Sequence, residues 1–153
     1  MIQKPTEELM QVLQSAKPRD LSAYMKDYQE NLVDESRPFM TYFKQLVAEK
    51  KLRLQDIFLT ADIPERYGYK LISEEKRTRQ RDVILRLCYA AHFSVQETQR
   101  ALKIYGMAEL YPKVPRDAVL IVAFNTRPGD IIDVNRLLQE NHMEKLRTSG
   151  DNN

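Results

Sequence analysis

The chain has 153 residues, 42% of them hydrophobic and 30% charged, and its net charge at neutral pH is +2. This length suits one compact domain with an appended element, and no apolar run approaches the roughly 18 residues that a membrane-spanning helix needs. The N-terminal sequence MIQKPTEELM lacks a cationic segment followed by an apolar one, so we expect no secretory leader, no membrane association and a cytoplasmic protein.

Residues that could act in catalysis or bind a metal are few, and they lie far apart in the sequence. The lone Cys88 lies in the apolar pattern VILRLCYAA and is predicted to be a buried, unreactive thiol in a reducing cytosol. His92 and His142 lack the spacing of a metal motif, and no glycine-rich phosphate loop is present. Asp130 and Asp133 fall in a predicted first helical turn, where the helix dipole favours negative charge. We therefore expect no enzyme activity, metal or cofactor.

Charge is distributed unevenly along the chain. Residues 1–36 carry a net charge of −3, residues 37–107 carry +6 and residues 108–153 carry −1. The densest positive run comprises Lys76, Arg77, Arg79 and Arg81. Such a run is either a solvated face or a phosphate-binding patch.

Almost the whole sequence is predicted to be helical, because glycine is scarce and the prolines fall where helices begin or end. Two amphipathic helices, at about 6–15 and 21–33, form an acidic N-terminal arm over residues 1–36. The motif DESRPF then separates this arm from the rest of the chain.

Five helices are predicted within residues 37–107, at about 39–51, 54–61, 64–74, 80–92 and 94–106. The fixed φ of Pro64 suits a helix start, and Ser94 with Glu97 has the spacing of a capping box. Gly106 is expected to end the last of the five. The break at Ile63-Pro64 leaves two short helices joined by a tight turn, which is the layout of a helix-turn-helix.

A helical hairpin over residues 108–147 is predicted to pack on this bundle, followed by a disordered tail at 148–153. Its first helix contains the apolar run Ala118–Phe124, and its second is expected to cover about 131–146 after the turn motif RPGD. Any exposed part of Ala118–Phe124 would be a surface for a homodimer or another protein partner.

In a helix-turn-helix the second helix lies in the DNA major groove, and basic residues beside it neutralise phosphates. Ile63 would then point into the core. The expected base-reading residues are Glu65, Arg66, Tyr69 and Lys70, and the expected phosphate contacts are Lys76, Arg77, Arg79 and Arg81. Tyr67 falls on the inward stripe. Gly68 costs roughly 1 kcal/mol in a helix interior, which indicates close approach of another helix or of the flanking tyrosines.

Residues from about 39 to 106 resemble the DNA-binding domain of the phage-repressor-like helix-turn-helix family, often called Xre or Cro/repressor-like. The stretch GYKLISEEKRTRQRDVILRLCYAAHFSVQETQRALKIYGMAELY, followed by PRDAV, further resembles small bacterial proteins, common in gut Firmicutes, with a helical arm before such a module and two helices after it. The resemblance implies an all-α repressor-like five-helix bundle that binds double-stranded DNA sequence-specifically and regulates transcription, often as a homodimer, without catalysis.

Two alternatives remain open from the sequence. A helix-turn-helix that has lost DNA binding would serve as a protein-interaction or signalling scaffold, with a partner bound through the arm or the C-terminal hairpin. The acidic arm either pads the bundle or covers the basic surface of the same or a neighbouring subunit until a partner removes it.

Overall fold

A computed structural model describes residues 6–29, 32 and 37–148. These residues are all-α and contain no strand, as the sequence predicts. A 3-10 turn at Pro18–Asp20 precedes the second of the helices, which are α1 (Thr6–Ser15), α2 (Leu21–Asp27), α3 (Pro38–Glu49), α4 (Leu54–Ala61), α5 (Glu65–Ile72), α6 (Arg81–Ala90), α7 (Val95–Tyr105), α8 (Pro115–Thr126) and α9 (Ile131–Glu140).

The chain divides into two compact units, Met1–Glu35 and Ser36–Asn153. In the first unit α1 has no buried residue, and α2 buries Tyr24, whose ring centroid lies 5.1 Å from that of Tyr28. None of the described helices in either unit has the length and apolar character needed to cross a membrane.

The second unit is organised around α6. Nine of its ten residues are buried, and α4, α7 and α9 pack against it. The core therefore surrounds α6 on all sides, which explains why the apolar pattern VILRLCYAA has no polar stripe. Two of the buried residues are charged, Asp82 and Arg86, and each is held by partners from elsewhere in the unit.

One helix of this unit, α7, begins and ends at the residues that the sequence indicates. Ser94 caps α7, since its hydroxyl accepts the Glu97 amide at 3.1 Å while the Glu97 carboxylate accepts the Ser94 amide at 2.8 Å. A cap of this kind stabilises a helix by about 1 kcal/mol. Gly106 ends α7 with a left-handed backbone, φ 87°. Both predictions are confirmed.

Two predicted helix ends are wrong. The arm's second helix ends at Asp27, not near residue 33, and most of the residues between 30 and 36 lie outside the described ranges. The last helix ends at Glu140, because His142 adopts a left-handed backbone with φ 61° that a continuing helix does not allow.

The segment after α9 runs back along the unit without helical structure. The Leu146 amide donates to the Asn135 side chain at 2.8 Å, and the Arg147 amide donates to Asp82 at 2.9 Å. Leu146 is 1% exposed, so the chain is held to the core at this point. Of the tail expected to be disordered, residues 149–153 lie outside the described part of the chain.

Candidate nucleic-acid interface

The turn between α4 and α5 is short and defined by its backbone. Asp62 is left-handed, with φ 57° and ψ 51°, and its amide returns to the carbonyl of Leu59 at 3.2 Å. The Ile63 amide donates to the Phe58 carbonyl at 3.0 Å, and the Ile63 side chain is 4% exposed. Pro64 then leads directly into α5. The predicted burial of Ile63 is confirmed, and it fixes the turn against the core.

Gly68 allows α5 to approach α4 closely. A Cβ atom added to Gly68 would lie 2.5 Å from the ring of Phe58, so close that the ring would have to shift. The same ring meets Tyr69 edge-on, with centroids 5.0 Å apart. The close approach predicted at Gly68 is confirmed, and its partner is a side chain of the preceding helix.

The outward face of α5 carries the residues expected to read bases. Glu65 and Arg66 are exposed, Tyr69 is 42% exposed and Lys70 is half-buried. Glu65 is oriented by α4, because the Gln55 side-chain amide donates to its carboxylate at 3.0 Å. The Arg66 guanidinium has no partner within the described residues, so it is available to a ligand. Tyr67, expected to point inward, is half-buried against the core.

The basic run begins at the C-terminal end of α5, where the Lys76 amide donates to the Lys70 carbonyl at 3.1 Å. Lys76 and Arg79 are exposed, and their side chains have no acceptor in the part of the chain that the structure describes. Two cations in the loop between α5 and α6 are therefore unpaired within the described residues.

Arg77 belongs in part to the fold. Its guanidinium lies 4.2 Å from the ring centroid of Tyr105 and donates to the Tyr105 carbonyl. The Tyr105 hydroxyl in turn accepts the Thr78 amide at 2.9 Å, and burial raises the pKa of Tyr105 above its usual value. Arg77 thus ties the basic run to the end of α7, although its side chain remains 55% exposed.

Arg81 also has a partner within the protein. It forms an ion pair with Asp117 at the start of α8, and Asp117 is only 2% exposed. A second ion pair joins the same two helices in the opposite sense. Here the arginine is Arg116 in the first turn of α8, and it donates to both oxygens of Asp82 in the first turn of α6 at 2.9 Å. We call these four residues the crossed pairs. They join the first turns of α6 and α8, so the guanidinium of Arg81 is a structural group as well as a surface charge.

Sequence reasoning missed Arg86, which is 3% exposed in α6. Its guanidinium donates to the Ala61 carbonyl at 3.1 Å, at the end of α4, and to the carbonyls of Leu146 and Arg147. It therefore connects the turn before α5 to the C-terminal segment. No local pattern reveals these contacts, because the three carbonyls lie far from Arg86 in the sequence.

Other chemistry is sparse in the described residues. They contain no group of three His, Cys, Asp or Glu side chains placed to hold a metal ion. Cys88 is fully buried, and burial raises its pKa well above the usual thiol value, so the reactive thiolate is disfavoured.

No protein-family model matches the chain, and neither a curated protein nor a solved structure does.

Proposed function

We propose that the protein is a sequence-specific, DNA-binding transcriptional regulator of the Xre/Cro-repressor type. In this proposal α3–α7 are the five-helix bundle, α4 and α5 are the helix-turn-helix, and α5 enters the major groove. The observation that carries the proposal is the combination of the short turn at Asp62, the exposed Glu65 and Arg66 in the first turn of α5, and the basic loop that follows α5. In that loop Lys76 and Arg79 have no acceptor among the described residues.

The contacts divide into two classes. Arg66 and Tyr69 are the best placed to read base edges, because both are exposed and Arg66 has no competing acceptor in the described chain. Lys70 is half-buried, and Glu65 would accept from a cytosine amino group. Lys76 and Arg79 contribute most of the phosphate contact. Arg77 and Arg81 contribute less, since folding already uses their guanidinium groups.

The test is selection from a pool of random duplex DNA at two salt concentrations. We compare the full chain with Lys76→Ala/Arg79→Ala and with a control of equal charge, Lys44→Ala/Lys103→Ala, whose side chains are exposed on α3 and α7. Variants of Arg77 and Arg81 are unsuitable, because they would disturb the fold.

We expect an enriched sequence and an affinity that falls steeply with salt. Lys76→Ala/Arg79→Ala should weaken binding to all sequences and reduce the slope of log affinity against log salt by about 2, while the control keeps the original slope. Arg66→Ala should relax the sequence preference at one base position and weaken the free energy of DNA binding by about 1–3 kcal/mol. A folded protein that enriches no sequence and shows no salt-dependent binding would contradict the proposal.

The second candidate is a helix-turn-helix that binds protein. It is favoured by Leu59 and Ile132, which are 81% and 72% exposed and line the same groove between α4 and α9. The variant Leu59→Asp/Ile132→Asp distinguishes the two functions. Sequence-selective DNA binding that survives this change supports the DNA proposal, whereas absence of DNA binding in the unchanged protein leaves the groove as the functional surface.

A further inference from the structure

A cavity of about 360 Å³ lies where the first turns of α6 and α8 meet the C-terminal segment. Four arginines and two acidic residues are among its lining groups: Arg79, Arg81, Arg116, Arg147, Asp82 and Glu144. The volume falls within the range typical of small-molecule sites, roughly 300–1,000 Å³.

Two of the four arginines are neutralised by the crossed pairs. Arg116 donates to both oxygens of Asp82, and Arg81 is paired with Asp117. Asp82 also accepts the Arg147 amide at 2.9 Å, so its oxygens are already occupied. These contacts fix the positions of the cavity's walls.

The other two arginines carry the excess charge. Arg79 and Arg147 are exposed, and within the described chain their guanidinium groups have no acceptor. Among the described residues that line the cavity, Glu144 is the one carboxylate that the crossed pairs leave uncompensated. The cavity therefore has a net positive character and offers two planar donor groups that match the oxygens of a phosphate.

We propose that this cavity binds a phosphate group, with Arg79 and Arg147 as its ligands and the crossed pairs as a rigid frame. The phosphate belongs either to a small phosphorylated molecule or to the DNA backbone, since the same donors recognise both. The inference extends beyond base reading by α5, because Arg147 and Arg116 lie outside the helix-turn-helix and its basic run.

The first arm of the test titrates pyrophosphate into the full chain by calorimetry at constant ionic strength. We expect saturable binding that Arg79→Ala/Arg147→Ala weakens by about tenfold or more, because two charge-assisted hydrogen bonds are lost. Glu144→Gln should tighten binding, since it removes a negative charge from the wall. Lys44→Ala/Lys103→Ala removes the same charge elsewhere and should leave the affinity unchanged. Circular dichroism confirms that each variant is folded.

The second arm identifies the source of the phosphate by measuring DNA affinity for Arg147→Ala, which leaves Lys76 and Arg79 in place. Pyrophosphate binding with unchanged DNA affinity assigns the site to a small phosphorylated ligand. A loss of DNA affinity beyond that of the control assigns it to the DNA backbone.

Two results overturn the site. One is that pyrophosphate binding does not change in Arg79→Ala/Arg147→Ala and DNA affinity does not change in Arg147→Ala. The other is that pyrophosphate binding falls equally in the control, which would indicate diffuse attraction to a positive surface. The pyrophosphate arm is decisive even if the protein binds no DNA, so failure of this site and failure of the proposed function are distinguishable.

Discussion

At the scale of single residues, the contact between Gly68 and Phe58 sets the distance between α4 and α5. Glycine is unfavourable in a helix interior by about 1 kcal/mol relative to alanine, so propensity alone favours replacement. Packing opposes it, because an added Cβ would lie 2.5 Å from a buried aromatic ring that cannot move freely. The steric effect is the larger of the two.

We predict that Gly68→Ala lowers the free energy of unfolding by about 1–3 kcal/mol, since the ring of Phe58 must shift within a packed core. Urea denaturation measures the change. The cost should shrink when Phe58→Leu is also present, and this double-mutant cycle separates a local clash from a general effect on the helix. An increase in stability from Gly68→Ala alone would show that propensity outweighs packing at this position.

At the scale of elements, the crossed pairs hold the hairpin's first helix against the centre of the bundle. The carboxylates of Asp82 and Asp117 lie in the first turns of α6 and α8, where the helix dipole also favours negative charge. Asp117 accepts from Arg81 and from the Tyr111 amide, so it also fixes the loop before α8. The contact between α6 and α8 is therefore ionic at this end.

Asp117→Ala should destabilise the protein by about 2–3 kcal/mol, because Arg81 and the Tyr111 amide lose their acceptor. The loss is smaller than for a fully buried pair, since the Arg81 side chain is 25% exposed. Thermal or urea unfolding measures it, with Glu140→Ala on the exposed side of α9 as the control. Equal stabilities of the two variants would mean that the pair between α6 and α8 contributes nothing.

Local signals in the sequence were sufficient for most helix positions. The capping box at Ser94, the glycine at Gly106 and the inward Ile63 are all short-range features, and all three predictions are confirmed. The end of α9 was not predictable in this way, because the left-handed conformation of His142 has no glycine to mark it.

The candidate site was predictable only in its local part. Periodicity along α5 indicates which side chains face outward, and the exposed Arg66 and Tyr69 agree with it. It does not indicate that Arg77 packs on Tyr105 or that Arg81 pairs with Asp117, since these partners are 28 and 36 residues away. Contacts between residues so far apart in the sequence leave no pattern in the local sequence.

At the scale of the whole molecule, the second unit contains a complete core of its own. Among the residues that the structure describes, the buried cluster begins at Phe39 and ends at Leu146, and none of its members comes from the first unit. A unit with its own core can fold independently. The acidic arm, with a net charge of −3 over residues 1–36, is therefore not needed to complete this core.

Deletion of residues 1–35 should leave a fragment that unfolds cooperatively, with a free energy of unfolding within about 1 kcal/mol of the full chain. Urea denaturation followed by circular dichroism tests this, and a fragment without a cooperative transition would contradict it. DNA affinity measured on the same fragment tests the arm. Unchanged affinity favours an arm that only pads the bundle, and a clear increase favours one that covers the basic surface.

The crossed pairs also restrict how the protein can evolve. A single substitution at Arg81, Asp82, Arg116 or Asp117 leaves an opposite charge without its partner in a site that is largely shielded from water. Drift at one position is therefore selected against unless its partner changes too. The two Arg-Asp dipeptides are expected to be inherited together, whereas the solvent-facing side of α5 can diversify one residue at a time without loss of the fold.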